Sequence, residues 1–259
     1  MPLGRIQIIT TLIIIFAALL IIVLERIFPY NKGQRLFRDG LLDDFIFYNG
    51  LQNFILGLII SSIISFIDKS TDISRHQFIS SWPIWLQVSF FVLTHDFYIY
   101  WFHRLQHNSK VLWRIHEAHH SNTNIDWLAG ARSHALEILI NQTIEFAPIV
   151  LLGAAPEVAL YKGAISAVWG MYIHSNINIH SGPLQYIING PEMHRWHHSD
   201  GNESAYNRNF STKLAVWDWL FGTAFFPRRE KPEKFGLGGI NFPKNYFKQF
   251  IFAFRKFEK

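Results

Sequence analysis

Apolar residues in this chain come in long unbroken runs, not in alternating or heptad patterns. Residues 6–24, IQIITTLIIIFAALLIIVL, carry no charge over 19 positions, and 45–67, FIFYNGLQNFILGLIISSIISFI, carry none over 23. A bilayer core of about 30 Å takes roughly 20 helical residues to cross, so each run predicts a membrane-spanning helix. The first run continues into Glu25-Arg26 without a small-residue cleavage site, which argues against a removed signal peptide. Three later stretches are apolar but interrupted. Residues 84–102 contain His95 and Asp96, 135–155 contain Glu137, Asn141 and Glu145, and 158–173 contain Lys162. Ionisable groups at membrane depth are costly and normally face a protein interior, so these stretches are expected to wrap a site.

Gly153-Ala-Ala-Pro156 predicts the turn between the last two stretches. The pattern predicts an all-α, polytopic membrane bundle of four to five spans, with a helical cap at one face. It divides into N-terminal spans over 1–89, a central part over 90–227 that includes a membrane hairpin 135–173, and a basic amphipathic tail over 228–259.

Composition agrees with a membrane setting: 49% of residues are hydrophobic, 16% aromatic and only 17% charged. The chain has no cysteine, which excludes disulfides, thiolate metal sites and cysteine nucleophiles. The net charge of +5 is concentrated in the tail, where 228–259 hold nine Lys or Arg against three acids. Interleaved Phe and Tyr make that tail a membrane-surface segment, and no nucleic-acid partner is expected. Loop 31–44 carries Lys32, Arg35 and Arg38. A hairpin over 135–173 returns the chain to the side it left, so loop, tail and every histidine group share one face. The excess of positive charge makes that face cytoplasmic.

The candidate chemistry lies in the 13 histidines. WFHRLQH holds His103 and His107, RIHEAHH holds His116, His119 and His120, and MHRWHH holds His194, His197 and His198. Residues three and four apart share a helix face, whereas the adjacent pair in each HxxHH is turned by about 100°. One box can therefore address two metals. Neutral imidazole suits iron, zinc, copper or nickel. Eight imidazoles oversupply one tetrahedral ion and suit two. Bis-histidine haem leaves the doublets unexplained. His116-Glu117-x-x-His120 also matches the zinc-peptidase motif H-E-x-x-H, with Glu117 as general base. That reading leaves His119 and two boxes idle, and the similar box at 194–198 has Arg195 where the Glu would be. The alternatives kept open are a zinc-dependent membrane hydrolase and a non-catalytic metal-binding protein.

The three boxes together resemble those of the fatty acid hydroxylase/sterol desaturase superfamily of membrane di-iron oxygenases, in its bacterial branch. Flanking residues match as well: Asp96-x-x-x-Tyr100, Leu112-Trp113, His120-Ser121, Asp126 and Arg132-x-His134-x-x-Glu137. His174-Ser175-Asn176, Asn209-Phe210, Trp217-Asp218 and Phe221-Gly222-Thr223 extend the match over roughly 90–225. The chain departs from the pattern at Ala135, where proline is frequent, and at His180, an extra histidine. At Gly170 some relatives carry another histidine, and His134 is a candidate to replace it.

The resemblance implies two iron ions, with zinc as a substitute in a purified sample, and molecular oxygen as co-substrate. It implies a lipid substrate and a separate electron donor, either a ferredoxin, a b-type cytochrome or a flavin reductase. The protein would be multi-pass, in a bacterial inner membrane, with its site at the cytoplasmic face. The implied metal ligands are His103, His107, His116, His119, His120, His134, His174, His194, His197 and His198. Asp96, Asp126, Glu137, Asn176 and Asp218 are expected to orient them, because ligating imidazoles usually donate their other N–H to a neighbour. Arg104, Arg132 and Arg195 are expected to hold acidic residues or a lipid headgroup. Phe97, Tyr98, Trp101 and Trp196 are expected to line the lipid's path.

Overall fold

The computed structural model describes residues 1–227 and 230–257, so Arg228, Arg229, Glu258 and Lys259 of the basic tail lie outside the described residues. Helix α1 covers Leu3–Ile27, and α2 covers Asn53–Thr71 after a π-helical turn segment, Asp43–Gln52. Then come α3 (Ile84–Asn108), α4 (Lys110–His120), α5 (Ala135–Leu151) and α6 (Pro156–Ile173). Three short helices follow: α7 (Pro191–His197), α8 (Val216–Leu220) and α9 (Tyr246–Phe252). Among the described residues there is no β-strand, only the isolated bridges Pro29–Ile177 and Ser199–Phe235. The fold is all-helical.

By length and composition two helical segments qualify to cross a bilayer, Leu3–Ile27 and the continuous Asp43–Thr71. Polar residues within α3 and α6, and the 17-residue length of α5, keep those three below that standard. The α5–α6 hairpin is central: α1 lies along α6, α2 along α5, and α3 packs on both as well as on α4. Its turn is as the sequence predicts. Gly153 adopts φ +70°, where a Cβ would collide with the Gln77 backbone, and Pro156 opens α6. Leu56, Ile60, Ile64 and Ala147 pack α2 on α5, while Phe91, Ile149 and Val158 join α3, α5 and α6. Phe16 and Phe66 project outward, 68% and 72% exposed, along with many Ile and Leu of α1 and α2. So broad an apolar surface marks a lipid-facing or protein-binding face.

Two polar devices tie the bundle to the loops around the histidines. Glu25, buried at the end of α1, accepts the N–H groups of Trp127 and Asn176, both at 2.8 Å. Arg38 pairs with Asp44 and Asp126, and Arg132 with Asp44, all four buried. The second network fixes loop 121–134 between α4 and α5.

The tail folds back on the protein. Gln249 of α9 accepts from Tyr48 Oη at 2.7 Å, and Tyr246 stacks on Phe47. Its outer side keeps Phe247, Ile251, Phe254 and Phe257 exposed.

Candidate metal centre

Helices α3, α4 and α7 and the C-terminal end of α6 converge at one end of the bundle and deliver the histidines in two groups. The first contains His103, His107, His116, His120 and His197, and the second His119, His174, His194 and His198. Within each group the ligand atoms lie within 4.8 Å of one another. Helix geometry explains the division. His103/His107 and His116/His120 are i,i+4 pairs that share a helix face, so each pair enters the first group intact. His194/His198 enters the second in the same way. The remaining member of each HxxHH box is turned away and joins the other group: His119 leaves its box for the second, and His197 leaves its box for the first.

Both groups have the dimensions of a metal's coordination sphere. Nε2–Nε2 separations are 3.2 Å for His116–His120, 3.1 Å for His120–His197, 3.2 Å for His119–His174, 2.8 Å for His174–His194 and 3.1 Å for His194–His198. Two nitrogens bound to one ion at about 2.0–2.1 Å lie roughly 2.9–3.4 Å apart in octahedral or tetrahedral geometry. The Nε2 atoms of His103 and His107 are buried and have no hydrogen-bond partner.

In five of the rings the opposite nitrogen is occupied. Nδ1–H donates to the Phe210 carbonyl from His103 at 2.7 Å, and to the Arg132 carbonyl from His119 at 3.3 Å. It donates to the Gly170 carbonyl from His174 and to the Arg208 carbonyl from His197, both at 2.8 Å. His116 Nδ1 donates to Glu137 at 2.8 Å. Carbonyl oxygens only accept, so in these rings the proton sits on Nδ1 and the lone pair of Nε2 is free for a metal.

Electrostatics favour the same state. Burial and neighbouring imidazoles lower the pKa of His116, His119, His120, His194, His197 and His198 well below the usual value. Burial pushes His103 and His174 down to about 4. The cluster is neutral at pH 7, which is the ligating form.

Of the residues expected to orient the ligands, only Glu137 touches a histidine, and Gln106 steadies it at 3.0 Å. Asp218 acts one step back. It accepts from the N–H groups of Phe210 and Ser211 and from Thr223 Oγ1, fixing the backbone whose carbonyl holds His103. Asp96 accepts from Thr212, Lys213, Leu214 and Trp217, clamping the 212–217 segment onto α3. Asp126 belongs to the Arg38 network, and Asn176 joins the end of α1 through Asn31. Neither reaches a histidine ring by hydrogen bond.

His134 lies outside both groups. Its Nδ1 caps α5 by accepting the Leu136 N–H, and its Nε2 donates to the Phe250 carbonyl. Nothing here replaces the missing histidine at Gly170, although the Gly170 carbonyl itself orients His174. His180 is exposed and pairs with Glu192 at 3.0 Å. Glu117 is neither open to solvent nor beside the metal nitrogens: it is buried and pairs with Arg255 of the tail. Of the arginines, Arg132 holds Asp44, Arg195 donates to the Ser175 and Ile177 carbonyls, and Arg104 donates to Tyr100 Oη.

The fatty acid hydroxylase family profile matches residues 88–223, which contain every histidine of both groups. The chain belongs to the fatty acid hydroxylase family. Ornithine lipid hydroxylase OlsE of Rhizobium tropici is 31% identical over 232 residues, covering 85% of this chain and 68% of that protein. Human alkylglycerol monooxygenase is 32% identical over 152 residues, 59% of this chain and 32% of its own length. A Delta(7)-sterol 5(6)-desaturase from Leptosphaeria maculans is 29% identical over 154 residues. The chain spans about a third of the alkylglycerol monooxygenases it matches. No solved structure matches significantly.

This fatty acid hydroxylase family member has a cavity of about 200 Å³ between α3, α5 and α6. His103, His116, His119, His174 and His194 line one end of it, and Ile99, Trp169 and Ile173 line its sides. It touches both histidine groups. The aromatic path expected from the sequence is not this cavity. Phe97 and Trp101 pack against Trp217 and Phe221 at the surface, and Trp196 is buried against Phe225.

Proposed function

We propose that this protein is an integral membrane oxygenase that uses two iron ions, molecular oxygen and external electrons to hydroxylate or desaturate a C–H bond of a lipid. The division of nine neutral imidazoles, eight of them buried and His107 partly so, into two adjacent groups of five and four carries the reading. Family membership and lipid-oxidising relatives support it.

His103, His107, His116, His120 and His197 would hold one ion; His119, His174, His194 and His198 would hold the other. When bound, the metals supply oxygen activation and electron storage. Zinc fits the same nitrogens, so a purified sample carries it where iron is scarce.

The chain's own residues do the remainder. Backbone carbonyls and Glu137 fix the ring tautomers, and the Asp218 and Asp96 clamps keep the 210–217 segment in place. Burial excludes bulk water from the cluster. A lipid enters from the bilayer toward the cavity between α3, α5 and α6, so the reacting carbon meets the histidine end. The bundle crosses a bacterial inner membrane through α1 and α2 together with α3 and the α5–α6 hairpin. The histidine end faces the cytoplasm, within reach of a ferredoxin, b-type cytochrome or flavin reductase.

The zinc-hydrolase reading requires Glu117 to serve a metal-bound water beside His116 and His120. The pairing of Glu117 with Arg255 speaks against it. The full set of box histidines likewise speaks against a degenerate metal-binding relative.

Lipid profiling of cells with and without the protein, grown under ¹⁸O₂, tests the proposal. The expected result is a lipid that gains ¹⁸O or a double bond only when the protein is present. Profiles that do not change with the protein would refute it.

A further inference from the structure

Opposite the histidines, the same cavity meets a set of buried polar groups that the proposed chemistry does not use. Lys162 of α6 is fully buried and donates to the Glu145 carboxylate of α5, to Ser166 Oγ at 3.3 Å and to His95 Nδ1 of α3 at 2.7 Å. An ammonium has donors only. His95 Nδ1 is therefore the acceptor, and the ring proton sits on Nε2. That Nε2–H is buried, with the Asn141 backbone nearby, and makes no hydrogen bond among the described residues.

Lys213 is the second unpaired donor. The residue is 8% exposed and lines the cavity, and its side chain makes no hydrogen bond or ion pair among the described residues. Its backbone is pinned on both sides: its N–H donates to Asp96 and its carbonyl accepts from Asn189, at 2.9 and 2.8 Å. Its charge faces His95, Glu145 and Lys162. The nearby acids do not satisfy it. Glu145 is taken by Lys162 and Ser166, and Asp96 already accepts four hydrogen bonds.

Two donors, one of them charged, thus line the cavity and make no hydrogen bond among the described residues. A hydrocarbon tail brings no acceptor, and leaving such donors unpaired is costly. We propose that His95 Nε2 and Lys213 Nζ form an anion-binding subsite that takes a carboxylate or phosphate group of the lipid. The charged end of the substrate, not its tail terminus, then occupies the cavity and sets which carbon faces the histidines. This rests on the oxygenase reading for its consequence, but the subsite itself is testable without turnover.

The test is equilibrium binding of labelled palmitate to the full-length protein in neutral detergent micelles at pH 7.5, with displacement by lysophosphatidic acid or hexadecanol. The expected result is at least tenfold tighter binding of one or both anionic amphiphiles than of hexadecanol; the tighter of the two identifies the group. Lys213→Met should abolish the preference, Lys213→Arg should keep most of it, and His95→Leu should reduce it several-fold. All three variants should retain wild-type metal content. Equal binding of the three probes by the wild type would overturn the proposal, as would a preference that survives both Lys213→Met and His95→Leu. An anion preference in a protein that oxidises no lipid would support the subsite and remove only the oxygenase reading.

Discussion

His197 Nε2 lies 3.1 Å from His120 Nε2, although 77 residues separate them and each belongs to a different HxxHH box. The two boxes exchange members, so neither box alone makes a metal site. Each site needs α4 and α7 together, and each box contributes to both sites.

Removing a single exchanged histidine should therefore disturb one ion first. His197→Ala takes a ligand from the group of five, and His119→Ala takes one from the group of four. Each variant should lose activity by more than 100-fold and lose bound iron, yet remain in the membrane. Metal analysis of the membrane-extracted variants checks this; iron equal to the wild type in both would mean the assignment is wrong.

Glu137 should behave as a positioning residue. Glu137→Leu removes the acceptor for His116 Nδ1 and should weaken metal binding by about 10–100-fold, the usual cost of losing such a partner. Chelator competition measures it. An unchanged affinity would show that His116 is oriented by something else.

Glu117→Gln separates this account from the zinc-hydrolase alternative. It weakens the pairing with Arg255 and should lower stability by about 1–2 kcal/mol, with activity and metal content near wild type. Complete loss of activity in a stable, metal-loaded Glu117→Gln would favour the alternative.

Gly130 guards the second group. A Cβ built there would lie 2.5 Å from His174 Nδ1, the nitrogen that donates to Gly170. Gly130→Val should displace that ring and lower activity at least tenfold, a loss comparable to that of an orienting partner. Turnover and metal content of the variant report the result, and wild-type values for both would remove the constraint.

The metal-free protein should be acid-labile over a defined window. His103 and His174 titrate near 6.5 when unfolded and at about 4 when folded. Between those values the unfolded chain binds more protons, so stability is complete above about 6.5 and falls as pH drops toward 4. Each such histidine contributes up to ~1.4 kcal/mol per pH unit there. Denaturation midpoints of metal-depleted protein at pH 7.5 and 5 should show the drop, and equal midpoints would contradict it.

Part of the site was legible in the chain, because helix periodicity turns adjacent His119 and His120 apart so that one box can address two metals; that His120 stays with His116 comes from the fold. The orienting groups were less so. Four of them are the carbonyls of Arg132, Gly170, Arg208 and Phe210, and a backbone acceptor leaves no side-chain signature. Asp44 is remote in sequence from Arg132, and only the tertiary fold brings them together. His134 misled for a related reason. The family pattern offers it for the position of Gly170, but at the N-cap of α5 its ring serves the backbone instead. The apolar runs of α1 and α2 stand out as candidate spans. Lys162, buried against Glu145, makes α6 look less apolar, and α5 has only 17 residues.

The most direct measurement is the metal stoichiometry and Mössbauer spectrum of the purified protein loaded with ⁵⁷Fe. The account predicts two irons per chain, magnetically coupled, with the coupling lost in both His119→Ala and His197→Ala. One iron per chain in fully active protein would contradict it.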